Sequence, residues 1–209
     1  DPMKSGIALA DVIAGKDAAV AILAALAGRD RGASRRIIIS LMDSARAALV
    51  NVAQNVLVSG RDAARWGNAH ANLVPYQLFR TSDAPVVIAV GSDSQWAACA
   101  RALGLDDLAQ DERLRTNAGR VAHRDLVVRA IAARAAAGTA ADLVQRLHGV
   151  GVPAGTVKTV LEAIRDAAHA SAVDGMKSPV GGSIRRAPPR LDEHGSMIRE
   201  RGWRALAGA

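Results

Sequence analysis

The sequence predicts a mixed chain, α/β to α+β, with a small α+β unit in its middle and flanks that read as parts of another, larger body. Three observations carry this. Apolar residues recur at helical spacing through much of the 209 residues. Two short runs, 74–80 and 86–90, flank Ser82-Asp83-Ala84-Pro85 in the pattern of a hairpin. Helix-start signatures of the form Ser/Thr-x-x-Gln/Glu stand at Ser92–Gln95 and Thr159–Glu162.

The elements follow in order. Residues 7–28 read as one or two helices interrupted near Gly15, with Ile7, Leu9, Val12 and Ile13 in one apolar cluster and Val20, Ile22, Leu23 and Leu26 in another. Gly28-Arg-Asp-Arg-Gly32 is a stop and a turn. Arg36-Ile-Ile-Ile-Ser40 is β-branched and predicts a short buried strand. A helix is expected over 41–58, with Leu49, Val52 and Val56 on one face. Residues 60–66 form a linker. After the hairpin, in which Pro85 belongs at a strand start or edge, Ser92 opens a helix carrying Trp96, Cys99 and Leu103. A short helix spans 105–111, and a long one 118–136 carries Val121, Val128 and Ile131. Thr139 caps the next, with Leu143, Val144 and Leu147 inward. Residues 149–155 are a break with a strand in it. From Gly175 to Pro189 the chain is strand- and loop-like, and a last short helix is expected over 193–201. No internal repeat is visible.

Composition narrows the function classes. Half the residues are apolar but only 2% are aromatic, so the core is built from Leu, Ile, Val and Ala. The net charge of +7 suits an anionic partner, nucleic acid or a phosphorylated small molecule, or else a solvated basic surface. There is no Lys/Arg block and almost nothing aromatic to stack on bases, which argues against nucleic acid. Cys99 is the sole cysteine, so no intrachain disulfide forms, as expected of a reducing, cytoplasmic protein. Its spacing from Trp96 and Leu103 places it in a core. No apolar run of about 18 residues exists, so no membrane span is expected. No secretory leader pattern is visible, and Asp1-Pro-Met-Lys-Ser-Gly reads as the middle of a longer protein.

The most informative stretch runs from Trp66 to Gln77: Trp-Gly-Asn-Ala-His-Ala-Asn-Leu-Val-Pro-Tyr-Gln. Gly67, Asn68, Ala69 and His70 are too polar and small to build a core. Two readings stand side by side: a loop that approaches a ligand closely, or a turn from linker to domain in which Asn68 takes a positive φ. Other sites are poorer. Histidines 70, 123, 148, 169 and 194 are scattered without metal-ligand spacing, so no metal is expected. Gly149-x-Gly151 is too short for a nucleotide fingerprint. Ser40 and Ser44 lack a neighbouring base motif, and Asp43 suits a helix cap. His123 with Arg124, and the pairs Arg35-Arg36 and Arg185-Arg186, read as solvated surface.

Seven segments, in order, resemble the class III CoA-transferase family, the group that includes formyl-CoA transferase and the carnitine CoA-transferases. They are Pro2 to Gly15; Leu26 to Gly32 with Ile38 to Ser44; Gly67-Asn-Ala-His70 with Pro75-Tyr76; Val87 to Trp96; Asp111 to Val121; Gly151 to Val157 with Val160 to Ala163; and Ala187 to Gly195. Together they resemble the C-terminal half of such an enzyme. The resemblance implies acyl-CoA and a carboxylic acid as partners, coenzyme A as substrate and no permanently bound cofactor. It implies a Rossmann-like large domain, to which residues 1–60 and 151–209 would belong, a small α+β domain over 61–150, and an interlocked homodimer. The family's nucleophile is an aspartate that forms an anhydride and then a thioester with CoA; no aspartate here matches its context, so it is expected upstream. The site residues implied are Gly67, Asn68, Ala69, His70 and Tyr76, in a loop covering the active site. Three departures stand out: Ala71 where proline often follows the loop histidine, Asp192 where glycine commonly precedes Glu193-His194, and Asp93 near the place where related racemases carry a glutamate. The rival readings are a 2-methylacyl-CoA racemase of the same fold, and a non-catalytic interaction or nucleic-acid-binding module.

Overall fold

The computed structural model describes residues 5–28, 36–166, 190–202 and 204. The turn expected after Gly28, Arg35, His169 and the 175–189 stretch with Arg185-Arg186 lie outside the described residues. The chain divides after Asn72 into two compact units, Asp1–Asn72 and Leu73–Ala209.

The first unit is helical. Helix α1 (Leu9–Ala27) is unbroken. The expected interruption at Gly15 does not occur, because one glycine costs only about 1 kcal/mol in a helix and its neighbours are strong helix formers. Helix α2 (Leu41–Ala47) packs on α1, and the buried Ser44 hydroxyl donates to Asp17 Oδ2 at 2.6 Å. Ser40 is the cap of α2, its Oγ accepting from the Asp43 N–H at 3.2 Å. Asp43, expected to cap, instead receives Arg46 Nη1 on its carboxylate at 3.1 Å.

Two further expectations fail here. Residues 36–40 form no strand: no described strand pairs with them, and Ile38 is 72% exposed, so neither a ladder nor burial supports one. The single helix expected over 41–58 is two, α2 and α3 (Asn51–Ser59), parted where Val50 turns to a φ of 43°. No glycine or proline marks that break. Leu49 and Val50 are both exposed, so burial does not explain it. The unit leaves much apolar surface uncovered: Val20, Leu23 and Leu26 in α1, and Leu57 and Val58 in α3, are all more than half exposed.

The second unit has a closed core. Strands β1 (Tyr76–Arg80), β2 (Pro85–Ala89) and β3 (Ala154–Thr156) form an antiparallel sheet in the order β1-β2-β3. The hairpin register pairs Tyr76 with Ala89 and Arg80 with Pro85. Proline therefore sits at the first position of the central strand, where its missing N–H costs least. Val86 and Ile88 alternate into the core with Phe79, as a sheet with one covered face requires.

The helices cover that face. Helix α4 (Asp93–Ala102) is capped as its motif predicts: Ser92 Oγ accepts from the Gln95 N–H at 3.2 Å, while Gln95 Oε1 takes the Gly91 N–H at 2.8 Å. It buries Trp96 and Cys99. Helix α5 (Asp106–Gln110) is short, and the long helix expected over 118–136 is broken at His123 into α6 (Asn117–Ala122) and α7 (Arg124–Ala136). Helix α8 (Ala140–His148) is capped by Thr139 and buries Leu143 and Leu147 against β2 and β3. Asp83 in the hairpin turn also receives the Ala140 N–H, at 2.8 Å; that bond and the Thr81 hydroxyl hold its carboxyl below the usual carboxylate range. Helices α9 (Val160–Asp166) and α10 (Gly195–Arg201) complete the described chain. At α9 the Thr159–Glu162 capping box closes in both directions, at 2.7 and 3.2 Å. The small sheet and surrounding helices make this an α+β fold. Among the described residues no helix is long and apolar enough to cross a membrane.

The Asp111–Val121 segment knits this core. Asp111 caps a 3-10 turn (Glu112–Leu114) through the Arg113 N–H, and Thr116 caps α6. Asn117 Oδ1 accepts the Val74 N–H at 3.2 Å. Arg120 is fully buried: its guanidinium donates to the carbonyls of Val74, Leu114 and Arg115 and to Asp93 Oδ1, over 2.8–3.2 Å, and lies 5.5 Å from the Trp96 ring centre.

Cys99 is fully buried, and burial pushes its thiol up to about 12. The native protein is therefore expected to resist thiol-exchange reagents at about pH 8 and to react once denatured. Prompt stoichiometric labelling without denaturant would contradict this placement.

Candidate functional site

The loop from Trp66 to Asn72 belongs to the first unit, while Tyr76 opens β1 in the second. The chain leaves α3, runs through residues 61–65 and turns tightly at Gly67, whose φ is +60°. The Ala69 N–H closes this turn on the Trp66 carbonyl at 2.9 Å. The positive φ thus falls on glycine, which has no Cβ to clash, and not on Asn68. Asn68 is exposed, Ala69 and His70 are half-buried, and Tyr76 is 37% exposed.

His70 has a defined orientation. Its Nδ1 accepts the backbone N–H of Asn72 at 3.0 Å, so the neutral ring carries its proton on Nε2. That arrangement turns the imidazole into a hydrogen-bond donor at its far edge. With the small residues Gly67 and Ala69 beside it, the loop can present N–H donors to a carboxylate or a thioester oxygen.

Asn72 is tied to α3. Asn55 Nδ2 donates to Asn72 Oδ1 at 2.7 Å, and Asn72 Nδ2 donates back to Asn55 Oδ1 at 2.9 Å. Asn55 is absent from the motif-level reading, because seventeen residues separate the partners and neither lies in a spaced pattern. Between loop and helix lies a recess of about 190 Å³, bordered by Val56, Ser59, Trp66 and Ala71. Ligand pockets that enclose a small molecule run to roughly 300–1,000 Å³. The recess is too small to enclose one.

Two larger recesses lie in the second unit. One, about 480 Å³, is bordered by Asp83, Thr156, Lys158, Glu162 and Asp166. Its charges are committed: Lys158 pairs with Asp166, which raises the lysine, and the Thr159 N–H and hydroxyl hold the Glu162 carboxyl down. These are capping and pairing roles. The other, about 360 Å³, lies at the start of α7 beside His123, Arg124, Asp125 and Arg129. His123 and Arg124 are each half-buried there, and desolvation lowers the Arg124 guanidinium, so the pair is less solvated than the sequence predicts. Among the described residues no group of three or more His, Cys, Asp or Glu side chains could hold a metal ion. Ser44 donates to Asp17, and Asp93, near the place where related racemases carry a glutamate, pairs with Arg120 through Oδ1.

Comparison with known proteins gives these features a setting. A family profile described as CoA-transferase family III matches residues 1–200. A succinate–glutarate CoA-transferase from Agrobacterium fabrum is 33% identical, over 94% of this chain and 54% of that protein. A succinyl-CoA:glutarate CoA-transferase from Mus musculus is 36% identical, over 88% of this chain and 43% of its own. Among solved structures, a CAIB/BAIF family protein from Brucella suis matches with a TM-score of 0.72 at 35% identity, covering 96% of this chain and 57% of that one. The chain spans about half the length of the curated relatives it matches.

Proposed function

This chain belongs to CoA-transferase family III, and from that membership we propose that it is the C-terminal part of an enzyme that moves CoA from an acyl-CoA to a carboxylic acid. The observation that carries the reading is the 33% identity, over 94% of the chain, to a protein named as a transferase of CoA between dicarboxylic acids. A dicarboxylate acceptor and a succinyl-type donor follow as the substrate class, and the +7 charge suits such anions. No permanently bound cofactor is required.

The proposed chemistry is covalent. An aspartate carboxylate, placed upstream of this chain, attacks the thioester carbonyl and expels CoA thiolate, leaving a mixed anhydride. The thiolate attacks the aspartyl carbonyl, releases the donor acid and forms an enzyme thioester. The acceptor carboxylate then displaces CoA to a second anhydride, and CoA attacks the acceptor's carbonyl, freeing aspartate and the new acyl-CoA. Gly67, Asn68, Ala69 and His70, with Tyr76, cover these intermediates and exclude water. His70 Nε2–H and the loop N–H groups donate to carboxylate and thioester oxygens.

Residues 1–60 and the chain after β3 are assigned to a Rossmann-like large domain and 61–150 with β3 to a small domain, in an interlocked, cytoplasmic homodimer; the boundary expected at 150 moves past Thr156 because β3 pairs with β2. The exposed apolar faces of α1 and α3 support this: they suit packing against the rest of a larger domain.

The longer protein is expected to convert succinyl-CoA and glutarate into glutaryl-CoA and succinate, read by mass spectrometry, while residues 1–209 alone show no turnover. Turnover by residues 1–209 would overturn the upstream nucleophile. A longer protein that epimerises a 2-methylacyl-CoA without transferring CoA would establish the racemase instead, against which the pairing of Asp93 with Arg120 already stands. Salt-sensitive retention of DNA or RNA would favour the interaction module.

A further inference from the structure

We infer that Asn55 is a positioning residue for the covering loop, acting on His70 through Asn72. The inference rests on the reading of that loop as the cover of the active site. The geometry runs in two steps within the first unit. The side-chain amides of Asn55 and Asn72 exchange two hydrogen bonds, at 2.7 and 2.9 Å, and fasten the loop's end to α3. The backbone N–H of the same Asn72 donates to His70 Nδ1 at 3.0 Å. One residue therefore carries both the anchor and the group that directs the histidine's proton to Nε2. When the anchor is removed, Asn72 loses its two bonds to α3, and the backbone N–H that directs His70 loses that restraint.

The pairing has a chemical requirement that other residues do not meet. Each amide donates once and accepts once, which a carboxylate or an alkyl side chain at position 55 cannot do. Asn55 occupies a helix position, where alanine is the better helix former. Asn55→Ala thus removes the anchor while favouring α3, and its effect is not a loss of the helix. Asn55→Asp keeps the bond from Asn72 Nδ2 and loses the other.

The cost of opening concerns water. An anhydride or thioester left uncovered is attacked by water in place of the acceptor acid: the carbonyl gains hydroxide, the carboxylate or thiolate leaves, and the acyl-CoA is consumed without transfer. Losing two exposed amide bonds corresponds to roughly tenfold more frequent loop opening.

Two measurements test this. On the chain itself, amide hydrogen exchange at Asn72 is expected to rise roughly tenfold in Asn55→Ala and by less in Asn55→Asp, with an unchanged melting temperature. On the longer protein, the ratio of acyl-CoA hydrolysis to CoA transfer is expected to rise by a similar factor, with partial restoration in Asn55→Asp. Unchanged exchange in Asn55→Ala overturns the anchor. Raised exchange with an unchanged partition in a competent transferase overturns the role of Asn55 in covering the site. A wild-type enzyme that transfers no CoA overturns the underlying reading, while the exchange result still decides whether Asn55 holds the loop.

Discussion

Arg120→Ala is expected to destabilise the second unit by about 3–5 kcal/mol, from buried acceptors left unsatisfied and the space left by a large buried side chain. Domains are stable by only about 5–15 kcal/mol, so the variant stands near the edge of folding. The loss has three sources. The guanidinium satisfies the carbonyls of Val74, Leu114 and Arg115, at 2.8–3.2 Å, and alanine leaves them without that donor. Each buried acceptor so orphaned costs about 1–3 kcal/mol. The side chain also packs on the face of Trp96, whose buried Nε1 has no hydrogen-bond partner, so that ring is held by packing and by the cation over its face. Asp93 contributes less. Its side chain is 54% exposed, and Asp93→Asn is expected to cost under about 1 kcal/mol. Urea unfolding of the two variants measures the difference. Equal and small losses would mean that the carbonyls contribute little and the ion pair carries the effect.

Gly119→Ala is expected to cost about 3 kcal/mol, at the upper end of the usual penalty for overpacking. Its position in α6 makes the sign informative. Alanine ordinarily improves a helix over glycine by about 1 kcal/mol. Here a Cβ would stand 1.8 Å from the Arg113 carbonyl oxygen and 3.0 Å from its carbon. The obstacle is backbone and cannot swing away. The 3-10 turn would have to shift, and with it the Leu114 and Arg115 carbonyls that hold Arg120. The two substitutions share one network, so their combined cost is expected to fall short of the sum. A melting temperature in Gly119→Ala equal to or above that of the parent would refute the close approach.

These two residues explain a motif that the sequence could only match. Asp111 to Val121 is recognisable as a family segment, yet nothing in its spacing says that Thr116 caps, Asn117 pins the start of the hairpin, Gly119 yields to a carbonyl and Arg120 enters the core. The physical roles emerge only when Val74 and Asp93, 46 and 27 residues away, arrive beside Arg120. The covering loop is similar. Gly67 and His70 stand out in the sequence because small and polar residues are unusual together, but Asn55 does not.

Features that act over three or four residues are legible in the sequence. The Ser92, Thr139 and Thr159 caps, the hairpin around Pro85, the burial of Cys99 beside Trp96, and family membership all rest on local spacing or on residue order. Contacts in three dimensions set the rest: that residues 36–40 pair with no described strand, that α6 and α7 part at His123, that Arg120 is buried, and that Asn55 holds Asn72. The reason is physical. A cap or a turn is satisfied by atoms a few bonds along the chain, whereas a ladder or a buried cation is stable only when distant groups supply the missing partner.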